Sequence, residues 1–388
     1  REFAQQHKAI IKKFGKEQGY GKRVIQGWIR KGLLPGRVMK DLSSLGYHLE
    51  NGEIYFKIGR HSTFCLPTRI SLDKDFLTFV GLWIADGCYD KSSVIVSAVD
   101  EEDRAVVHAV GKKFGIPVKK HSDGFSLMLN SKTLKACMRE LFELKGDSYT
   151  KRLPVWIYQL SKEQIGFVLK GLFSGDGCAA KNEIVIPIAS IRLLKDVQFL
   201  LSAYDIILRI GKKRRDGTYN AGISSLKSWK NFRSNVGFLQ GYKNRKLELL
   251  CNKTSTHDSS DVIPLPLEVK EDLWDVVPKF NTHDYVTRDN SIGRTKLVSI
   301  LQANQLPEEL SEKLSILAQS DIFWDEIREV TMLEHEGWAY DISVPGCESF
   351  VCDNIIAHNT LELPVAALKQ LNYNIQSMKV ASALTRGT

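Results

Sequence analysis

The sequence has few cysteines, no close cysteine pair and no long apolar run, and each absence excludes a class of protein. Seven cysteines in 388 residues, without a Cys-x-x-Cys pair, exclude a disulfide framework or a zinc ribbon and predict reduced thiols. No run approaches the ~20 apolar residues of a membrane span, and residues 1–6 lack the apolar core of a signal peptide. We therefore expect a cytoplasmic protein without a membrane segment.

Positive charge is concentrated in the first 254 residues. They contain 44 Lys and Arg against 24 Asp and Glu, whereas residues 255–359 contain 7 against 20. A block this basic is typical of a protein that binds a polyanion such as nucleic acid. A merely solvated basic surface stays the alternative. The acidic block indicates a second, separate task.

An internal repeat organises the basic block. Residues 79–88, Phe-Val-Gly-Leu-Trp-Ile-Ala-Asp-Gly-Cys, recur in kind as residues 169–178, Leu-Lys-Gly-Leu-Phe-Ser-Gly-Asp-Gly-Cys. Each copy has the apolar content of a helix and is closed by Asp-Gly, which favours a helix that ends on a left-handed glycine. In each copy a β-branched run, a helix, a hairpin that turns at Asp-Gly and another helix follow. The pattern predicts an α+β fold with two related halves.

Small residues recur at a spacing of four in both copies: Gly81 and Ala85, then Gly171 and Gly175. Such residues allow two helix backbones to approach closely. That packing would bring Asp86 and Asp176 together. Two neighbouring carboxylates suit Mg²⁺ bound together with phosphate oxygens and water, and without a cation their repulsion would raise one pKa. The alternative is that each aspartate only ends a helix before a glycine.

The two segments resemble the dodecapeptide motifs of the LAGLIDADG, or DOD-type, homing endonucleases. The resemblance implies two αββαββα repeats, residues 71–160 and 161–254, in a pseudo-twofold arrangement with the motif helices at the interface. It also implies that Asp86 and Asp176 are catalytic ligands of Mg²⁺ and that a monomer binds double-stranded DNA. At the position of the other acid in the family name, which does not bind the metal, this chain has isoleucine and serine.

Each repeat of that family also contributes a lysine near the cleavage centre. Lys151 begins a Lys-x-x-Pro block that resembles the one before the second motif, 25 residues ahead of Asp176. In the second copy, residues 237–246 resemble the corresponding block, and Lys246 is favoured over Lys243. Such a lysine would stabilise negative charge on the phosphate or polarise the attacking water. A plain phosphate contact is the alternative reading for each lysine.

Basic side chains of the two hairpins are the candidate DNA contacts: Lys119, Lys120, Lys212, Lys213, Arg214 and Arg215. Strands laid along a major groove would direct alternate side chains to bases and to phosphates. Residues 1–70 are predicted to form a basic helical accessory DNA-binding region, with a helix pair of the helix-turn-helix kind around residues 22–32. Any small basic helical cap would have a similar sequence.

The acidic block ends in a segment that resembles the C-terminal splicing blocks of inteins. Residues 337–360 contain Tyr-Asp, Pro-Gly, Phe and then an apolar run into His-Asn-Thr. The resemblance implies a β-rich C-terminal part of a Hint (intein) domain over residues 321–359, preceded by a helical connector over residues 255–320.

The splicing chemistry would use four residues of that segment. The Asn359 side-chain amide would attack its own carbonyl carbon and break the peptide bond in an autocatalytic cleavage, and His358 would protonate the leaving amine. Thr360 would accept the upstream acyl chain, and Asp341 would orient the participants. Inteins begin with Cys or Ser and carry a Thr-x-x-His block, whereas this chain starts at Arg1 with neither. We therefore expect an N-terminal intein half as a separate partner.

Residues 360–388 resemble a host segment, or C-extein, of an archaeal type II/IV secretion ATPase, but they contain no phosphate-binding loop. The sequence thus predicts an intein-encoded, site-specific homing endonuclease that makes a Mg²⁺-dependent double-strand break in the intein-less host gene and retains splicing chemistry. Three alternatives stay open: a DNA-binding intein remnant without nuclease activity, a protein that only splices, and a maturase-like RNA binder.

Overall fold

The computed structural model divides into two units. Contacts between Cα atoms group Arg1–Lys57 with Cys65–Ile70, and Ile58–Phe64 with Ser71–Thr388. The structure describes residues 2–35, 38, 42, 55–56, 64–254, 260–277, 291–303, 306–320, 322–325, 331, 349–352 and 355–358. Among these residues, no helix combines the length and the apolar character that crossing a membrane requires.

The first unit is mainly helical where it is described. Its elements are α1 (Glu2–Gln6), α2 (Lys8–Glu17), α3 (Lys22–Lys31) and an antiparallel pair of short strands, β1 (Tyr55–Phe56) and β2 (Leu66–Pro67). Ile11, Ile25 and Ile29 are buried in one apolar cluster, in which Ile25 and Ile29 lie one turn apart on the same face of α3. The lysines and arginines of these helices are exposed.

The second unit contains the two sequence repeats, and both fold into a helix, two strands, a helix, two strands and a helix, after which the second repeat adds one more helix. The first has α4 (Lys74–Asp86), β3 (Gly87–Tyr89), β4 (Ser93–Ser97), α5 (Glu101–Lys113), β5 (Val118–Lys120), β6 (Ser126–Asn130) and α6 (Lys132–Ala136), which continues as a π-helical turn (Cys137–Leu141). After a 3₁₀ turn (Val155–Gln159), the second has α7 (Lys162–Asp176), β7 (Cys178–Ala179), β8 (Ile184–Ile188), α8 (Ile191–Ser202), β9 (Arg209–Lys213), β10 (Tyr219–Ile223), α9 (Leu226–Asn235) and α10 (Gly241–Cys251). The predicted α+β class is confirmed.

Each repeat forms a four-stranded antiparallel sheet of the same topology. The strand order is β3-β4-β6-β5 in the first and β7-β8-β10-β9 in the second. The outer strands β5 and β9 belong to hairpins that turn at Gly124 and Gly217, whose φ angles are 85° and 87°. Only glycine adopts that conformation without strain. The hairpins predicted at the two Asp-Gly pairs are therefore confirmed.

Side-chain caps start the two repeat helices. The Asp73 carboxylate accepts from the Phe76 N–H ahead of α4. Ser161 and Gln164 form a reciprocal capping box ahead of α7. Each cap satisfies N–H groups that the first helical turn leaves without a partner, so the start of each helix is specified by its own sequence.

The ends of these two helices differ from the prediction. The helices run on through Asp86 and Asp176, and the following residues, Gly87 and Gly177, are extended with φ of −94° rather than left-handed. Glycine is required there for another reason. A Cβ on Gly177 would lie 2.7 Å from the Phe173 carbonyl oxygen, and a Cβ on Gly87 would overlap Trp83. The chain turns into β3 and β7 so sharply that no side chain fits.

Helices α4 and α7 pack against each other through glycine. A Cβ on Gly81 would lie 2.9 Å from the Gly171 Cα and 2.8 Å from the Leu172 nitrogen, and it would overlap the Val168 carbonyl oxygen. A Cβ on Gly171 would meet the equivalent atoms of α4. The two backbones are therefore in direct contact, as the spacing of small residues predicts, and around this contact Phe79, Trp83 and Phe173 are buried.

A third group of elements lies beyond the repeats in the same unit. It comprises β11 (Val262–Pro264), α11 (Leu267–Val276), β12 (Ser291–Gly293), α12 (Arg294–Ala303) and α13 (Glu308–Gln319), with an apolar core of its own. The buried Arg294 guanidinium pairs with Asp261 at 2.9 Å and donates to the Leu317 carbonyl near the end of α13. These helices fall within the predicted connector.

The described residues near the C-terminus form one antiparallel hairpin, β13 (Ser349–Cys352) and β14 (Ile355–His358), in which Ser349 is the partner of His358. Of the predicted splicing residues, Asp341, Asn359 and Thr360 lie outside the described residues, and for His358 the structure describes the backbone. The Hint segment therefore stays a prediction.

Candidate active site

Asp86 and Asp176 are the last residues of the two packed helices. One turn beyond the Gly81–Gly171 contact, a Cβ on Gly175 would lie 2.5 Å from the Ala85 Cβ and 4.0 Å from Asp86 Oδ2. The backbone of α7 is thus within a few ångströms of the Asp86 carboxylate. Gly81, Ala85, Gly171 and Gly175 line the contact between α4 and α7, and Asp86 and Asp176 end the two helices one residue beyond it.

The electrostatics of the pair are asymmetric. Burial and, to a smaller extent, the negative charge of Asp86 raise the pKa of Asp176 to about 7. The positive charges of Lys151 and Lys243 oppose this rise. Asp86 is exposed, whereas Asp176 is half-buried. Repulsion between neighbouring carboxylates raises a pKa unless a cation offsets it, and this repulsion is the part of the Asp176 shift that comes from Asp86.

Lys151 lies at the end of the first repeat helix. Its buried ammonium donates to the carbonyl oxygens of Trp83 at 3.1 Å, Ala85 at 3.2 Å and Gly87 at 2.8 Å. An ammonium has three donors, so all three are engaged. Burial lowers the pKa of Lys151, although the charges of Asp176 and Asp86 oppose this. The lysine stabilises the negative end of α4 beside the two aspartates.

The structure places Lys243, rather than Lys246, at the equivalent position of the second repeat. The Lys243 ammonium is buried and donates to the carbonyl oxygens of Ser174 at 2.6 Å and Gly177 at 2.8 Å. Lys246 is one turn further along α10 and is exposed. The spacing already contains this signal, because Lys151 follows Asp86 by 65 residues and Lys243 follows Asp176 by 67.

Three further residues at the site are not indicated by the motifs. Gln240 donates to both carboxylate oxygens of the buried Asp103, at 2.8 and 2.9 Å, and to the Ser174 carbonyl at 3.2 Å. Burial raises the pKa of Asp103 to about 6. In the other half, Asp196 accepts from the Leu153 N–H at 2.9 Å, two residues beyond Lys151. In both halves, a helix of one repeat thus binds the segment that carries the lysine of the other repeat, a loop for Lys151 and the start of α10 for Lys243.

The oxygen donors of the two aspartates suit a hard divalent cation whose other ligands come from the substrate and water. In the described part of the chain, no group of three or more His, Cys, Asp or Glu side chains could form a closed metal site. Magnesium is commonly bound by one or two carboxylates, with substrate phosphate and water as the other ligands. Asp86 and Asp176 meet that requirement.

The six basic residues of the hairpins are all exposed: Lys119 and Lys120 at β5, and Lys212, Lys213, Arg214 and Arg215 at β9 and its turn. The Lys213 ammonium lies 5.9 Å from the centre of the Tyr219 ring. Asp123 and Asp216 organise the turns by accepting from residues two positions further on. The hairpins therefore carry basic side chains on ordered turns that solvent can reach.

Comparison with known proteins identifies part of the second repeat. Residues 163–237 match the family described as LAGLIDADG-like domain. They include α7 with Gly171 and Asp176, but they stop before α10, so Lys243 lies outside the match. The motif-based resemblance of the second repeat is confirmed over this segment.

Curated relatives extend over most of the chain. Elongation factor 2 of Methanopyrus kandleri is 24% identical over 349 residues, 86% of this chain and 27% of that protein. DNA-directed RNA polymerase subunit Rpo1C of Methanocaldococcus jannaschii is 29% identical, over 80% of this chain and 38% of its own length. Glutamine–fructose-6-phosphate aminotransferase of the same organism is 25% identical, over 83% and 30%. The chain therefore spans about a third of the length of the curated relatives it matches.

Solved structures show a more distant similarity. I-DmoI in complex with DNA and Mn is 17% identical, with a TM-score of 0.35, over 43% of this chain and 97% of that one. Full-length DUF199/WhiA is 13% identical, with a TM-score of 0.34, over 65% of this chain and 93% of that one.

Proposed function

We propose that the chain is an intein-encoded, site-specific DNA endonuclease that cuts both strands of an intein-less host gene with a divalent cation. The observation that carries the proposal is the position of Asp86 and Asp176 at the ends of two helices in backbone contact, with a buried lysine from each repeat beside them. A solitary helix-ending aspartate would need neither the glycine contact nor the two lysines.

The residues of the site have distinct tasks in this reaction. Asp86 and Asp176 would hold a divalent cation, which would supply Lewis-acid activation of water and neutralisation of phosphate charge. Asp176 must give up its proton to act as a ligand, and with a pKa of about 7 it does so near neutral pH. Lys151 and Lys243 fix the helix ends through main-chain carbonyls and place positive charge where negative charge develops on the phosphate.

DNA is the proposed substrate because of the charge of the surface around the site. The exposed hairpin residues, Lys119, Lys120, Lys212, Lys213, Arg214 and Arg215, would contact the strand phosphates and base edges on both sides of the cleavage centre. The helices of residues 1–70 would add an accessory contact. The protein would act as a monomer, because each of its two repeats contributes one acid and one lysine.

The curated relatives favour an insertion within host proteins. An elongation factor, an RNA polymerase subunit and an aminotransferase have unrelated tasks, yet each matches this chain over about 340 residues and less than two fifths of its own length. A shared inserted element accounts for such matches better than a shared host function. We therefore assign splicing to Asp341, His358, Asn359 and Thr360, with residues 360–388 as host sequence.

The nuclease is tested with a circular plasmid that carries the uninterrupted host gene. We expect a linear product with Mg²⁺, none with EDTA, and none with an otherwise identical plasmid that lacks the gene. Asp86→Asn and Asp176→Asn should each prevent linearisation. Cleavage in EDTA would refute the metal, and intact plasmid with Mg²⁺ would leave DNA binding or splicing as the function.

Splicing chemistry is tested by mass spectrometry of the purified chain after prolonged incubation. We expect release of the segment that begins at Thr360, and no release from Asn359→Ala. Equal release from the variant would show that Asn359 does not cyclise.

A further inference from the structure

A cavity of about 620 Å³ opens beside Asp86, at the end of α4. Its walls come from β3, from the π-helical turn that follows α6, and from the loop over residues 145–148. The polar side chains that line it include Asp86, Arg139, Lys145, Ser148 and Lys151. The cavity therefore extends the site outward on the side of the first repeat.

Two of its cations are held at the rim by one glutamate. The Arg139 guanidinium lies 3.3 Å from Glu140, and the Lys145 ammonium lies 3.2 Å from the other oxygen of the same carboxylate. All three side chains are more than half exposed, and exposed ion pairs of this kind contribute little to stability. Both cations can leave Glu140 for a stronger anionic ligand at small cost.

The loop beneath them is ordered by its own hydrogen bonds. Asp147 Oδ1 accepts from the Tyr149 N–H at 3.0 Å and from the Thr150 hydroxyl at 2.7 Å. The hydrogen bonds from the Thr150 hydroxyl and the Tyr149 N–H keep the pKa of Asp147 below its ordinary value. The Asp147 carboxylate is thus committed to the loop, and the loop delivers Lys151 to the site, since the Lys151 N–H donates to the Asp147 carbonyl at 2.9 Å.

The second repeat has no equivalent pair of cations. Ser131 and Ser225 cap α6 and α9 in the same way, and Glu143 and Gly237 both have positive φ, each pair 94 residues apart. At that offset Arg139 corresponds to Arg233, which pairs with Glu248 of α10 at 2.9 Å. Lys145 corresponds to a leucine, Leu239.

We infer that this cavity binds the phosphodiester backbone of one DNA strand next to the cleaved bond, through Arg139, Lys145 and the Ser148 hydroxyl. Guanidinium and ammonium groups are the usual partners of DNA phosphates, and the cavity opens directly onto the proposed metal ligand Asp86. The half of the site that belongs to the first repeat therefore makes more phosphate contacts with its DNA strand than the half that belongs to the second repeat. The inference rests on the proposed function, of which it specifies one DNA contact.

The test compares the double variant Arg139→Gln/Lys145→Gln with Arg233→Gln as a matched control. Arg233 has nearly the same exposure as Arg139, 49% against 53%. The first measurement is the affinity for duplex DNA that carries the uninterrupted host gene, with Ca²⁺ in place of Mg²⁺, as a function of salt concentration. Loss of two phosphate contacts should reduce the slope of log affinity against log salt by about 1.8, and Arg233→Gln should leave the slope unchanged.

A third variant should strengthen DNA binding instead of weakening it. Glu140→Gln removes the competing carboxylate, so it should strengthen DNA binding while it leaves the fold intact. Melting temperatures of all three variants establish that they are folded. An unchanged slope in the double variant, or weaker binding by Glu140→Gln, would overturn the inference.

Two further measurements distinguish DNA phosphate from free phosphate as the ligand, and failure of this inference from failure of the proposed function. The first measures whether millimolar inorganic phosphate raises the melting temperature. If it stabilises the wild type but not the double variant, and the salt slope for DNA is the same in both, the cavity binds free phosphate and not a DNA strand, which would overturn the inference. With Mg²⁺ and a plasmid, the double variant should accumulate nicked circles because one strand is cut more slowly than the other, and equal slowing of both strands would contradict the inference. Absence of cutting by the wild type would refute the nuclease, while the salt slopes would still test the cavity.

Discussion

In the first repeat, Lys151 donates to three main-chain carbonyls at the end of α4, whereas in the second repeat Lys243 donates to two at the end of α7. The loop of Lys151 is tied to α8 through Asp196, and the start of α10 is tied to α5 through Asp103 and Gln240. In both halves a lysine holds the helix end and an aspartate holds the segment that carries the lysine, but Asp196 binds a main-chain N–H whereas Asp103 binds the Gln240 amide. The two repeats thus have the acid and the lysine at equivalent positions, while the contacts that support them differ.

The largest expected effect comes from separating the repeats. Gly81→Val or Gly171→Val would push the backbones of α4 and α7 apart, since even a Cβ at either position would lie within 3 Å of the other helix. Overpacking typically costs about 1–3 kcal/mol and occasionally more, and here backbone rather than a side chain must move. We expect loss of the cooperative thermal transition. Gly27→Ala, where a Cβ meets nothing within 4 Å, should instead leave the melting temperature unchanged or raise it. If the variants at Gly81 and Gly171 melt like Gly27→Ala, the glycine contact is refuted.

The next effect tests whether the two aspartates act as one site. Asp86→Asn and Asp176→Asn should each reduce Mg²⁺-dependent cleavage by about 10³-fold, the equivalent of the several kcal/mol that metal activation contributes. The double variant should be no worse than either single one, because both ligands serve the same cation. Multiplied effects in the double variant, measured as single-turnover rates, would show two independent sites.

A smaller effect distinguishes the lysines of the second repeat. Lys243→Met should reduce cleavage by about 10²-fold, the scale seen when one preorganised donor is removed, because a buried charge beside Asp176 is lost. Lys246→Met should change the rate less than Lys243→Met, since Lys246 is exposed. The reverse order would restore Lys246 as the catalytic lysine of the second repeat.

The smallest effect is on stability and depends on pH. The folded protein holds a proton on Asp176 up to a pKa of about 7, whereas the unfolded chain releases it near the ordinary value of about 3.9. The folded state therefore binds more protons in this window, and metal-free stability contributed by this group falls as pH rises from 4 to 7. Asp176→Asn should raise the melting temperature, with a difference that grows up to pH 7 and is constant above. A difference independent of pH would contradict the shifted pKa.

Much of this arrangement follows from residue order alone. Helices that end at Asp-Gly, hairpins that turn at Asp-Gly and a spacing of four between small residues are local patterns with local physical causes, and the structure has each of them near its expected place. The pairing of Asp86 with Asp176 also follows, because a duplicated segment with a glycine face has few other ways to pack.

The remaining features could not be predicted because they depend on contacts distant in the sequence. Gly87 is extended because it already belongs to β3 and pairs with Val96 of β4. The partnership of Asp103 with Gln240 joins residues 137 positions apart. Arg139 and Lys145 belong to no motif, and only the folded chain brings them to a cavity beside Asp86.

The central claim, that Asp86 and Asp176 share one divalent cation, is tested most directly by Mn²⁺ binding to the purified chain, followed by electron paramagnetic resonance. At pH 8, above the pKa of Asp176, we predict one Mn²⁺ per chain, its loss in both Asp86→Asn and Asp176→Asn, and weaker binding at pH 6, where the cation must displace a proton. Undiminished Mn²⁺ binding by either variant would contradict the claim.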